Sequence, residues 1–183
     1  MHGDTLSVMR RLAILALPVL ALVLPATALA LHDANTADGT LVVKNGSAPR
    51  GVPVVTLSIE GTAIGHISTG SPDQVDTVVV YDPNNTNDIG ASITNGAPSL
   101  TRSTISDTKT KFVGSDFRFR AAGGVYKIWI YGSGVDVFAV GAGKVTLQGL
   151  PDSNADGRYS INGGDWRSLP AAPSDLLQFG SSG

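Results

Sequence analysis

Apolar residues recur at alternate positions through most of the chain, in short runs broken by Gly, Asn, Asp and Pro, with no sustained 3.6-residue period. That pattern predicts antiparallel β structure, because side chains on a strand point to opposite faces in turn. The predicted strands cover residues 40–45, 52–60, 62–68, 75–82, 108–113, 116–121, 125–132, 135–140, 144–149, 158–161 and 165–169, with a closing one at 175–179. Roughly ten short strands at this spacing predict an all-β fold, an antiparallel β-sandwich or a partly open barrel.

The punctuation specifies turns. Gly123-Gly124 separates Phe117-Arg118-Phe119-Arg120 from Val125-Tyr126-Lys127-Ile128-Trp129, and Asn162-Gly163 separates 158–161 from 165–169. Both dipeptides tolerate the positive φ angles of type I′ turns and so predict hairpins. Glu60-Gly61 predicts a third hairpin, and Gly141-Ala142-Gly143 a looser fourth. Residues 82–106, rich in Asn, Gly and Pro, predict a long loop with one weak strand near Ile93. Loops of that length in compact domains are commonly functional.

The N-terminus has a different character. Arg10 and Arg11 precede a 13-residue apolar run, 12–24, and Ala28 and Ala30 frame a small-residue cleavage pattern. Basic, apolar and small-residue regions in that order predict a secretory signal peptide over residues 1–30. The run is short of the roughly 20 residues a membrane-spanning helix needs. Translation from Met9 would place Met-Arg-Arg directly before the apolar run. A tail, 31–38, and a single β domain, 39–183, would follow, secreted or held at the cell surface.

After residue 30 the chain carries 11 basic and 14 acidic side chains, a net of −3. A mildly acidic balance argues against nucleic-acid partners, which select a basic field. Without cysteine, an exported fold has no disulfides and no thiolate zinc site. The charge is uneven: residues 31–100 carry a net of −5, and residues 101–130 a net of +4.

The segments Gly39-Thr40-Leu41-Val42-Val43-Lys44-Asn45-Gly46 and Arg158-Tyr159-Ser160-Ile161-Asn162-Gly163-Gly164 are typical of the composition past residue 30. In these stretches the chain resembles uncharacterised secreted β-rich proteins of high-GC bacteria. The resemblance implies no activity.

Catalytic residues are scarce. There is no G-x-S-x-G elbow, H-E-x-x-H motif, P-loop or G-x-G-x-x-G fingerprint. Past residue 30 the chain has two histidines, His32 and His66, and one glutamate, Glu60. A hairpin at Glu60-Gly61 would set His66 against Val55, among Leu57 and Ile64, as a neutral histidine at the core. Asp152-Ser153-Asn154-Ala155-Asp156-Gly157 matches the opening of a calcium loop, with Asp152, Asn154 and Asp156 as candidate ligands. The twelfth position of that loop is Gly163, where an EF-hand has glutamate; calcium is the one cofactor the residues suggest.

The strongest binding signal is the predicted hairpin at Gly123-Gly124. Its register sets Arg120 against Lys127 and Arg118 against Trp129, so that Arg118, Arg120, Lys127, Trp129 and Tyr131 share one face. Such a face suits acidic polymer or stacked sugar rings. The expected function is therefore a non-catalytic secreted β domain that binds acidic or saccharide polymer at the cell surface. The alternatives are a small hydrolase with paired aspartates, among Asp76, Asp82 and Asp88, and a structural or adhesive subunit that pairs with other surface proteins through edge strands.

Overall fold

The computed structural model describes residues 38–69, 76–83, 92–95, 101–151 and 157–181. The chain falls into two units, Met1–Ala30 and Leu31–Gly183, and every described residue belongs to the second. The predicted signal segment, Asp88, and the candidate calcium ligands Asp152, Asn154 and Asp156 lie outside the described residues.

The described residues form eleven strands and no helix. In chain order they are β1 Gly39–Gly46, β2 Val55–Thr69, β3 Asp76–Tyr81, β4 Ser92–Asn95, β5 Thr101–Ser106, β6 Lys109–Gly114, β7 Asp116–Tyr131, β8 Val135–Leu147, β9 Arg158–Ile161, β10 Arg167–Ser168 and β11 Leu177–Phe179. All pair antiparallel in one sheet of order β10-β9-β1-β8-β2-β7-β3-β6-β5, with β11 added to β8 and β4 to β7. The sheet does not close into a barrel. With no helix among these residues, none is long and apolar enough to cross a membrane.

Three predicted hairpins are absent. β2, β7 and β8 run straight through Glu60-Gly61, Gly123-Gly124 and Gly141-Ala142-Gly143, giving strands of 15, 16 and 13 residues. A type I′ turn needs positive φ at both central residues. At Gly123-Gly124 only Gly123 has it (φ 68°), and at Glu60-Gly61 only Gly61 (φ 106°). One left-handed residue makes a bulge, which bends a strand without reversing it. Asn162-Gly163 meets the full requirement, with φ of 53° and 68°. It closes a true turn, Gly164 N donating to Ile161 O at 2.9 Å, and brings β10 back onto β9.

The bends coincide across adjacent strands. Gly61 faces Gly124 of β7, Ala63 faces Gly141 of β8, and the register slips between residues 59 and 63. The sheet therefore folds as a whole along a glycine line into two leaves. The first leaf holds 55–60 of β2, 125–131 of β7 and 143–147 of β8, flanked by β3, β6, β5 and β11. The second holds 63–69, 116–121 and 135–141 of the same strands, flanked by β4, β1, β9 and β10.

The ends remote from this line meet. Ser115 alone joins β6 in the first leaf to β7 in the second, and Gly132, Ser133 and Gly134 join β7 to β8 in the same way. A three-residue connection spans at most about 13 Å, which matches leaves stacked roughly 10 Å apart. Their facing sides form one apolar core. Leu57, Ile128 and Leu147 of the first leaf and Leu41, Phe117 and Ile67 of the second are fully buried in it.

The segment 82–106 is not all loop. β4 pairs with residues 117–120 of β7, in the region expected to hold a weak strand, and β5 pairs with β6. β5 gives no apolar alternation because it is an edge strand, exposed along its whole length. Hydrogen bonds to β6, rather than a buried side, hold it in the sheet.

Candidate binding faces of the folded sheet

Alternation in the first leaf turns Trp129, Lys127 and Tyr131 of β7 outward, between buried Ile128 and Ile130. β3 and β6 add Tyr81, Lys109 and Lys111 on the same side, and β8 adds Lys144. Trp129 is half-buried, with Lys127 Nζ 5.4 Å and Lys109 Nζ 5.6 Å from its ring centroid. Lys109 Nζ also lies 5.9 Å from the Tyr81 ring. Among the described residues none of these four lysines has a salt bridge. Among the described residues Glu60, near the glycine line, is the one carboxylate at an outward strand position of this leaf.

The register arranges the face in rows that cross the strands. Tyr81 is paired with Lys109 on one side and Lys127 on the other. Ser58 is paired with Lys127 and Lys144, and Gln178 with Lys144. The next row runs Lys111, Val79, Trp129, Thr56, Thr146.

The five residues expected to share a face are thus divided. Lys127, Trp129 and Tyr131 are together on the first leaf. Arg118 and Arg120 are exposed on the outer side of the second, because β7 bends at Gly123 instead of reversing there. The unfavourable pairing of Arg120 with Lys127 does not arise: Arg120 faces Ser92 and Ile64, and Lys127 faces Tyr81 and Ser58.

His66 also leaves its expected place. The bulge at Gly61 turns Ala63 and Ile67 inward and His66 outward, opposite Arg118 and Phe138 and away from Val55 and Leu57. Its Nε2 hydrogen-bonds Asp116 Oδ1. Beside it Lys44 Nζ donates to Asp136 Oδ2 at 2.5 Å. A groove of about 250 Å³ runs past His66, Ser68, Lys44 and Phe138. A triad would need a hydroxyl hydrogen-bonded to the imidazole. Ser68, two residues along the same strand, lines the groove, but among the described residues the imidazole's hydrogen bond is to Asp116 and not to a hydroxyl. The pair has an orienting carboxylate, and among the described residues no hydroxyl is hydrogen-bonded to the ring.

Asp76 is the other unusual carboxylate. It is fully buried where the chain crosses between leaves, and neither oxygen has a hydrogen-bond partner among the described residues. Desolvation pushes its pKa up to about 7. Asp82 follows the opposite end of β3, about 20 Å away at strand rise, whereas a carboxylate pair works within about 9.5 Å. These two aspartates do not form one hydrolytic site. No group of three or more metal-ligating side chains occurs among the described residues.

Sequence reasoning missed Tyr81, Lys109, Lys111 and Lys144 as members of the face. Alternation marks Lys109 and Lys111 as co-facial, and Tyr81 as facing away from Val80. Strand order, which seats them beside Trp129, has no local signature. The chain matches no family model, and no curated protein or solved structure matches it.

Proposed function

We propose that this is a non-catalytic secreted domain that binds acidic or saccharide polymer through the outward face of the first leaf. The observation that carries the reading is Trp129 set between Lys127 and Lys109 on a face with four lysines, none of them in a salt bridge among the described residues. Unpaired cations at close quarters repel one another and attract a polyanion from a distance. A partly exposed indole supplies a flat apolar surface on which a sugar ring stacks, and the flanking ammonium groups hold the ring's position through cation–π attraction.

The test is binding of the domain to an anionic polysaccharide across a salt series. Exposed charges are screened over about 8 Å at physiological ionic strength, so affinity falls steeply as salt rises. Lys127→Ala weakens binding at low salt, and Trp129→Ala weakens it at high salt as well. Arg118→Ala, on the other leaf, leaves it unchanged; an equal loss from Arg118→Ala would contradict the assignment of the face.

The structural or adhesive reading draws on β5, which ends the strand order with both faces exposed. An edge of this kind accepts a further strand. Concentration-dependent self-association, abolished by Ile105→Pro in β5, would favour that role.

A further inference from the structure

The row of outward residues nearest Trp129 has an internal period. Across six neighbouring strands it reads Lys109, Tyr81, Lys127, Ser58, Lys144, Gln178. A cation stands on every second strand, and a hydroxyl or amide stands between. Adjacent strands are about 4.8 Å apart, so the lysines recur at about 10 Å and the row spans about 24 Å. Among the described residues neither the Tyr81 nor the Ser58 hydroxyl has a hydrogen-bond partner, and the Gln178 amide nitrogen already donates to Gly180 O at 3.1 Å, leaving its oxygen as an acceptor.

Resting on the polymer-binding reading above, we infer that the polymer is a linear polyuronate, an unbranched acidic polysaccharide with one carboxylate per sugar, lying across the strands along this row. In a ribbon-like chain whose successive sugars are turned over, carboxylates on one side recur every second sugar, a distance close to two strand spacings. The carboxylates on that side meet Lys109, Lys127 and Lys144, and sugar hydroxyls meet Tyr81, Ser58 and Gln178. A nucleic-acid duplex fits poorly, since each strand presents a phosphate about every 3.4 Å of axis, and most would have no cation in the row. Trp129 borders the middle of the track, where it stacks on a sugar held at Lys127. Lys111, in the next row, adds to the general field without meeting a carboxylate.

The experiment titrates the domain with oligogalacturonates from dimer to octamer at low salt, with heparin and single-stranded DNA of matched charge alongside. The expected affinity climbs with length to about five or six sugars, one per strand spacing, and then levels. At the hexamer, Lys127→Gln costs about tenfold, the size of one good ionic contact, and Lys111→Gln costs less than about threefold. Both substitutions are at the surface, and circular dichroism checks that each variant folds. Equal binding of heparin or DNA, with equal losses from Lys127→Gln and Lys111→Gln, would overturn the polyuronate row while leaving a general polyanion face. Binding of none of the three polymers would overturn both.

Discussion

At the scale of single residues, Asp76 makes the sharpest physical demand. Among the described residues its carboxyl group has no hydrogen-bond or salt-bridge partner; Gly132 lies so close that a Cβ there would fall 1.8 Å from Asp76 Oδ1, and Val135 packs alongside. Burial favours the neutral acid, and the pKa rises from 3.8 to about 7. The folded state therefore holds its proton more tightly than the unfolded chain. The resulting stability is complete below about pH 4 and is lost as the pH rises to about 7, on the order of 4 kcal/mol in all. Asp76→Asn removes the titration while keeping the shape, so urea-denaturation midpoints of the variant should lack that component of the slope. Identical pH profiles for the two proteins would show that Asp76 ionises freely. Nothing in the sequence marks this aspartate, because its burial comes from connections that cross between leaves. Lys127, Trp129 and Tyr131 were legible as co-facial from alternation alone. His66 was not, since one bulge at Gly61 inverts which side of β2 it occupies.

At the scale of elements, most strand positions were written in the alternation, but of the four predicted reversals only that at Asn162-Gly163 was. Glu60-Gly61, Gly123-Gly124 and Asn162-Gly163 look alike as punctuation. They differ in whether both residues take positive φ, as only Asn162-Gly163 does, and that depends on the neighbouring strands. Gly141 shows the constraint most clearly: its φ is 138°, and a Cβ would lie 2.4 Å from Thr62 O of the adjacent strand. Gly141→Ala should cost about 3 kcal/mol or more, combining left-handed strain with a backbone clash. Gly163 has φ of 68° and open space around it, so Gly163→Ala should cost only about 1 kcal/mol. Chemical denaturation of both variants measures the difference; a neutral Gly141→Ala would mean that the strands do not bend where the glycines align. β5 was missed for a separate reason, as an edge strand exposed on both faces carries no burial pattern to read.

At the scale of the whole molecule, the fold along the glycine line decides which charges act together. Read as a short hairpin at Gly123-Gly124, Arg118, Arg120 and Lys127 share one patch. In the folded sheet Arg118 and Arg120 lie on the outer side of one leaf and Lys109, Lys111 and Lys127 on that of the other. The second leaf also holds Lys44, paired with Asp136, and His66, paired with Asp116. Among the described residues its positive charges are partly matched by salt bridges, whereas no lysine of the first leaf takes part in one. Amine footprinting tests this most directly. The intact domain is acetylated with and without polygalacturonate, and each lysine is quantified by mass spectrometry. The account predicts strong protection of Lys109, Lys127 and Lys144 with Lys44 unchanged; protection of Lys44 equal to that of Lys127, or of none of the four, would contradict it.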